Sequence, residues 1–251
     1  MTGATAGIGH AFARALASRG TNLVLVARDA PRLTAVADDL RTRHGVDVGV
    51  IAADLSDREQ LERVAVRLRD AARPVDLLVN NAGFAVRQYV VGGDLAVEER
   101  LLDVLVRAVL VLSSAAAPGM VQRRRGALVT VSSVAGFLPS GTYSAAKAWE
   151  TTFTLSLAAE LSGTGVTVTA LCPGYVHTEF HGRAGIRMGR LPSSAWLDAD
   201  QVVASCLRDV ARGRALSVPS LRYKIVVVAM RHLPLALVER FAKGRMRRRY
   251  R

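Results

Sequence analysis

An α/β fold, doubly wound around a mostly parallel sheet, is what this sequence predicts, and three observations predict it. A glycine-rich turn holding Gly3, Gly7 and Gly9 opens directly into a helical pattern. Short runs rich in Val, Leu and Ile then alternate with amphipathic helical stretches. The chain has 251 residues, half of them hydrophobic and with no evident internal repeat, so it can bury one large core without disulfides.

Taken in order, residues 10–18 carry Phe12 and Leu16 at helical spacing and stop at Gly20. Residues 22–27 read as a buried strand, 31–43 as an amphipathic helix and 46–53 as a strand ending at Asp54 and Leu55. Ser56 and Glu59 have capping-box spacing, so a helix is expected from there to about residue 72. Residues 74–79, 127–131, 165–171 and 216–218 read as further strands. Residues 95–120 are mostly helical, a long helical pattern holds Tyr143 and Lys147, and residues 197–200 open a helix reaching Arg212.

Glycines at 3, 7 and 9 let backbone approach a pyrophosphate whose charge a helix N-terminus favours; a flexible turn without ligand is the plain alternative. Such a turn needs a strand leading into it, yet the chain starts at Met1. A first strand is therefore expected to be missing from the given chain, through a misassigned start or truncation. At the end of the strand at 22–27, a carboxylate would accept ribose hydroxyls, whereas an arginine pairs with a 2′-phosphate. Arg28 stands there, with Asp29 next, so NADP(H) is expected over NAD(H) unless Asp29 does the reading.

Tyr143 and Lys147, four residues apart, share one helix face. An ammonium beside a phenol favours the phenolate, so the tyrosine is expected to trade protons nearer neutrality, as acid or base toward a carbonyl or alcohol. Ser133, closing the preceding strand, would hold the substrate oxygen. Alone, the Tyr/Lys pair reads more readily as an ordinary solvated helix face; the surrounding motifs reverse that.

The segment Thr2-Gly3-Ala4-Thr5-Ala6-Gly7-Ile8-Gly9 is followed by Asn80-Asn81-Ala82-Gly83, Ser133, Tyr143-x-x-x-Lys147 and Pro173-Gly174. In that order these motifs resemble the classical short-chain dehydrogenase/reductase family. The resemblance implies a Rossmann-like single domain and NAD(P)(H)-dependent interconversion of a carbonyl and a secondary alcohol. It implies Ser133, Tyr143 and Lys147 as catalytic residues. Cofactor contacts carried over with it are Gly3, Thr5, Gly7, Ile8, Gly9, Arg28, Asp54 at the adenine, Leu55, Asn81, Ala82, Gly83, Tyr143, Lys147, Pro173, Gly174, Val176 and Thr178 at the carboxamide. A homo-oligomer is also implied, as is a substrate lid over residues 179–200. His177, close to that turn, is expected to be a spacer, and His181 similarly.

Two departures qualify the resemblance. The family's fourth catalytic member is an asparagine that positions a water beside the lysine; its place here is Leu105, and no asparagine follows Asn81. The loop between Ser133 and Tyr143 is also shorter than in relatives, so a tighter active-site loop is expected. These departures support an alternative, a catalytically weak or inactive nucleotide-binding protein acting through its tail.

That tail, residues 223–251, reads as an extension to a domain of residues 1–222: an apolar run, then Arg240, Lys243, Arg245, Arg247, Arg248, Arg249 and Arg251. It could sit on an anionic membrane surface, or pack on the body or a subunit with a solvated arginine end. The net charge of +13 allows nucleic-acid contact, but 5% aromatics and no recognition motif argue against anything specific. Cys172 and Cys206 read as buried free thiols rather than a bridge or metal site, consistent with a cytoplasmic setting. No signal peptide is evident. Asp103 and Arg107 interrupt the central apolar stretch, so no membrane span is expected.

Overall fold

Side chains alternate across a strand, so each buried strand must feed two cores, one on either face of the sheet. In the computed structural model, which describes residues 1–86, 88–183 and 192–232 apart from the side chains of His181 and Arg183, neighbouring strand residues do so. In strand β1 (Leu23–Ala27), Leu25 packs with helices α1 (Gly7–Ala17) and α2 (Ala30–His44). Val26 faces the other way, toward α3 (Arg58–Arg69). In β4 (Gly126–Val131), Leu128 joins that second layer, while Val129 packs with Phe12 of α1 and Val203 of α8 (Ala199–Ala211). Helices cover both faces, as a doubly wound fold requires.

All strand pairings are parallel among the described residues. β1 pairs with β2 (Val48–Ala52), from Leu23 opposite Val48 to Ala27 opposite Ala52. A second group runs β3 (Leu77–Asn80), β4, β5 (Val166–Leu171) and β8 (Leu216–Ser217). Met1 and Thr2 join the groups: Val26 N–H donates to Met1 O at 2.9 Å, and Thr2 N–H donates to Val79 O at 3.0 Å. A short parallel pair, β6 (Tyr175–Val176) and β7 (Trp196–Leu197), lies beyond β5.

Two local expectations are corrected. Asp57, not Ser56, caps α3 by accepting from Gln60 N–H at 2.9 Å; Ser56 instead donates to Asp54 Oδ1 at 2.7 Å. Helix α4 (Leu95–Leu102), a π-helical turn at Asp103–Arg107 and α5 (Ala108–Gln122) form one continuous helix. By length and composition, contrary to expectation, this helix is apolar enough to cross a membrane. Asp103 and Arg107 do not break it because they pair with each other at 2.7 Å, one helical turn apart. Much of its apolar surface, including Leu112 and Met120, is spent on the core.

Helix α9 (Leu221–His232) spans the expected boundary at 222/223. Tyr223 lies on Gly174, where any added Cβ would collide with the ring. Its hydroxyl donates to Ala195 O at 2.7 Å and accepts from Tyr175 N–H at 3.2 Å. The first turn of the extension is thus part of the body. The basic end of the tail and residues 184–191 of the expected lid lie outside the described residues.

Candidate active site

Parallel strands deliver their C-terminal ends to one edge of the sheet, and loops leaving that edge collect the functional side chains. The glycine turn comes first. Gly3 has φ +65°, and a Cβ on it would stand 2.8 Å from Asn81 Nδ2 and 2.9 Å from Ala82 Cα. A Cβ on Gly9 would collide with Gly3 O. Asn81 ties this turn down, its Nδ2 donating to Thr2 O and Gly3 O at 3.0 and 3.1 Å. The start of α1 has no side-chain cap and no acidic residue in its first turn. Backbone N–H groups beside glycines that leave no room for a Cβ form a cradle suited to a phosphate, so these residues fit a dinucleotide.

The other expected cofactor residues divide by burial. Thr178 closes over the turn, its Cγ2 atom 2.9 Å from the Cβ position of Gly7. Thr5 and Gly174 are partly exposed, whereas Pro173 is buried and its carbonyl accepts from Val134 N–H at 3.0 Å. Leu55 and Val176 are buried in the core and Ile8 packs against it. Leu55 and Val176 thus offer a cofactor mainly backbone, whereas Ile8 is partly exposed. Arg28 is exposed, 3.9 Å from Asp54. Asp54 is partly buried, which would raise its pKa, but bonds from Ser56 and the charges of Arg100 and Arg28 hold it below the ordinary carboxylate value. Asp29 is occupied as the cap of α2, accepting from Arg32 N–H at 3.0 Å. Arg32, which sequence reasoning missed, reaches across to Glu179 with two bonds of 3.1 and 2.7 Å.

The structure brings Ser133, Tyr143 and Lys147 together. Ser133 leaves β4 and caps the 3₁₀ turn Val134–Phe137, its Oγ accepting from Ala135 N–H at 3.1 Å. Gly136 of that turn rests on the backbone of helix α6 (Gly141–Glu160): a Cβ there would be 2.8 Å from Lys147 O. Such close seating is how the short loop returns to the helix. Lys147 Nζ sits 5.8 Å from the centroid of the Tyr143 ring, and Phe180 leans on the same ring at 5.9 Å. The His177 ring stacks on Trp196 at 4.6 Å.

One expectation about this group reverses. Burial of the phenol pushes the Tyr143 pKa above its ordinary value; Lys147 and Ser133 act to lower it, while Glu150 adds to the rise. A residue not singled out in the sequence adds to the effect of burial. Glu150, buried one turn along α6, accepts from Lys147 Nζ on both oxygens at 3.0 and 2.8 Å, and Val131 O accepts a third bond at 2.8 Å. Its signal was legible, an acid three residues after the lysine on the same face.

Leu105 is fully buried in the π-helical turn beside this group. Its Cδ2 is 2.8 Å from the Cβ position of Gly83, itself 3.8 Å from Lys147 Nζ. A π-helical turn often marks a functional site.

Comparison with known proteins bears on the arrangement. The sequence profile of the short chain dehydrogenases matches residues 1–187. A short chain dehydrogenase from Pseudocercospora fijiensis is 38% identical over 184 residues, covering 71% of this chain and 59% of that protein. The inactive hydroxysteroid dehydrogenase-like protein 1 of Pongo abelii is 35% identical over 188 residues, covering 71% and 55%. The chain thus spans less than two thirds of these curated relatives. Among solved structures, a short-chain dehydrogenase from Sphingobium yanoikuyae in complex with NADPH superposes with a TM-score of 0.84 at 37% identity, covering 93% of this chain and 94% of that one.

Proposed function

Since the chain belongs to the short chain dehydrogenase family, a family of oxidoreductases, we propose that it reduces a ketone or aldehyde to an alcohol with NADP(H), and reverses that reaction. The observation that carries this reading is the convergence of Ser133, Tyr143 and Lys147 beside the glycine cradle. When bound, a nicotinamide cofactor supplies or takes up the hydride at the carbonyl carbon. Ser133 holds the substrate oxygen, and Tyr143 gives its phenolic proton to that oxygen as the carbon–oxygen double bond becomes single. Lys147 fixes the electrostatics of the phenol. The cradle at Gly3, Gly7 and Gly9 orients the nucleotide, so the reacting carbons meet without a search.

NADP(H) is favoured over NAD(H) because Arg28 is exposed at the end of β1, while Asp29 is taken up in capping α2. Subunit association is part of the proposal, supported by the exposed Leu95, Leu102 and Leu110 on the long helix. Titration with NADPH and NADH, followed by cofactor fluorescence, tests the preference: tighter NADPH binding that weakens in Arg28→Ala is expected, and equal binding would contradict it.

A second reading is a nucleotide-binding protein with weak or no catalysis. It is favoured by Leu105 in place of a water-holding asparagine and by the engagement of Lys147 Nζ with Glu150 and Val131 O inside the protein. NADPH binding without turnover on any carbonyl would select it.

A further inference from the structure

An ammonium has three N–H donors. In Lys147 the donors meet acceptors inside the protein: the two oxygens of Glu150, close enough together to share one N–H, and Val131 O. Both partners of the pair are buried, so the attraction between them is weakly screened and the pair is close to electrically neutral as seen from outside. Tyr143 lies one turn back on the same helix, with Lys147 Nζ over its ring. The phenol therefore faces a cation whose charge Glu150 offsets in part.

We propose that Glu150 is a positioning residue that acts through Lys147: it anchors the ammonium and offsets part of its charge, and so works with burial to hold Tyr143 as a neutral phenol, poised to donate its proton to a carbonyl oxygen. The inference rests on the reductase reading above. It assigns the site a bias toward reduction where Glu150 is ionised, because the reverse reaction needs the phenolate as base. Glu150 does not serve as a proton route to solvent. It is 2% exposed, and both of its oxygens accept from Lys147.

The surroundings of Glu150 support this assignment. Lys147 is the charged group that acts on it, and Tyr143 is the other titratable group of α6 beside that lysine. From β5 the facing titratable group is the Cys172 thiol, pushed up to about 11 chiefly by burial and neutral at working pH. The Val134–Phe137 turn packed against α6 carries no titratable side chain. In the neighbouring long helix, Asp103 and Arg107 are paired with each other. Nothing else among these groups replaces the charge that Glu150 contributes.

The test follows the Tyr143 phenol directly and needs no turnover. Ultraviolet absorbance of tyrosinate is titrated in the full chain and in the same chain carrying Tyr143→Phe, and the difference isolates one of five tyrosines. Glu150→Gln, measured with its own Tyr143→Phe control, is expected to lower the Tyr143 midpoint by about one pH unit, a tenfold change in proton affinity. An unchanged or raised midpoint overturns the proposal. Where Glu150→Gln does not fold, the joint replacement Lys147→Met and Glu150→Met decides, since exchanging a buried ion pair for apolar side chains is usually tolerated. Removing a pair whose two charges act in opposite senses should move the midpoint by less than about one unit. A rise of one unit or more would show an uncompensated lysine and overturn the proposal. Failure of the unsubstituted chain to oxidise NADPH with any carbonyl sinks the reductase reading instead, whatever the midpoint does.

Discussion

Leu105 and Gly83 touch beside Lys147: the leucine Cδ2 lies 2.8 Å from where a Cβ on Gly83 would stand, and that point is 3.8 Å from Lys147 Nζ. An apolar side chain fills the place next to the ammonium and packs with Leu101 and Ala146. A leucine offers no hydrogen bond to a water there. Leu105→Asn should raise the rate of carbonyl reduction by roughly tenfold, a fraction of what positioned proton transfer can supply. It should also cost about 1–3 kcal/mol of stability by burying an amide in an apolar cluster. NADPH oxidation rates and thermal melts check the two effects; an unchanged rate would show that another step limits turnover.

The Glu150 carboxyl has a signature in stability as well as in catalysis. Burial, opposed by Lys147, raises its pKa from an ordinary 4.5 to about 7 in the folded chain. A carboxyl raised in this way binds its proton more tightly folded than unfolded. Its contribution therefore favours the fold fully below 4.5 and is lost as pH rises through about 7. The stability of Glu150→Gln relative to the unsubstituted chain should rise by about 3 kcal/mol across that window. Denaturant melts at several pH values measure it, and a pH-independent difference would contradict the buried, proton-sharing carboxyl.

Gly9→Ala should abolish nucleotide binding. The added methyl must collide with Gly3 O, and the cradle cannot close around it. Loss of NADPH binding with a cooperative melt retained is the expected result, read by cofactor fluorescence and calorimetry. Retained binding would move the phosphate site elsewhere.

Tyr223→Phe removes a hydroxyl that bonds both Ala195 O and Tyr175 N–H. Losing the two bonds should cost about 1–3 kcal/mol. Hydrogen exchange should speed up in β6 and in the Ser193–Ala195 turn, where α9 is fastened. Unchanged exchange there would show that α9 does not hold this segment.

What the sequence made legible was mostly local. Local pattern placed the strands and helices, because the short apolar runs of β1 and β4 and the apolar stripe of α1 are written in neighbouring residues. Ser56 and Asp57 are both capping residue types, so only the observed bond to Gln60 distinguishes them. Asp103 and Arg107 looked like breaks in an apolar run, and their mutual ion pair made them acceptable on a continuous helix. At the site, the motifs announced Ser133, Tyr143 and Lys147, but the direction of the Tyr143 shift depends on burial and on how Glu150 spends the lysine's charge. Contacts between distant segments, Tyr223 on Gly174 and Arg32 on Glu179, left no mark in either local stretch.

The most direct measurement of the central claim is the fate of the hydride. The full chain is incubated with NADPH deuterated at the transferable position and a panel of ketones and aldehydes, and the products are analysed by mass spectrometry. Deuterium on the carbinol carbon, lost when Tyr143→Phe is used, is the predicted result. NADPH binding with no deuterium transferred to any member of the panel, or transfer that persists undiminished in Tyr143→Phe, would contradict it.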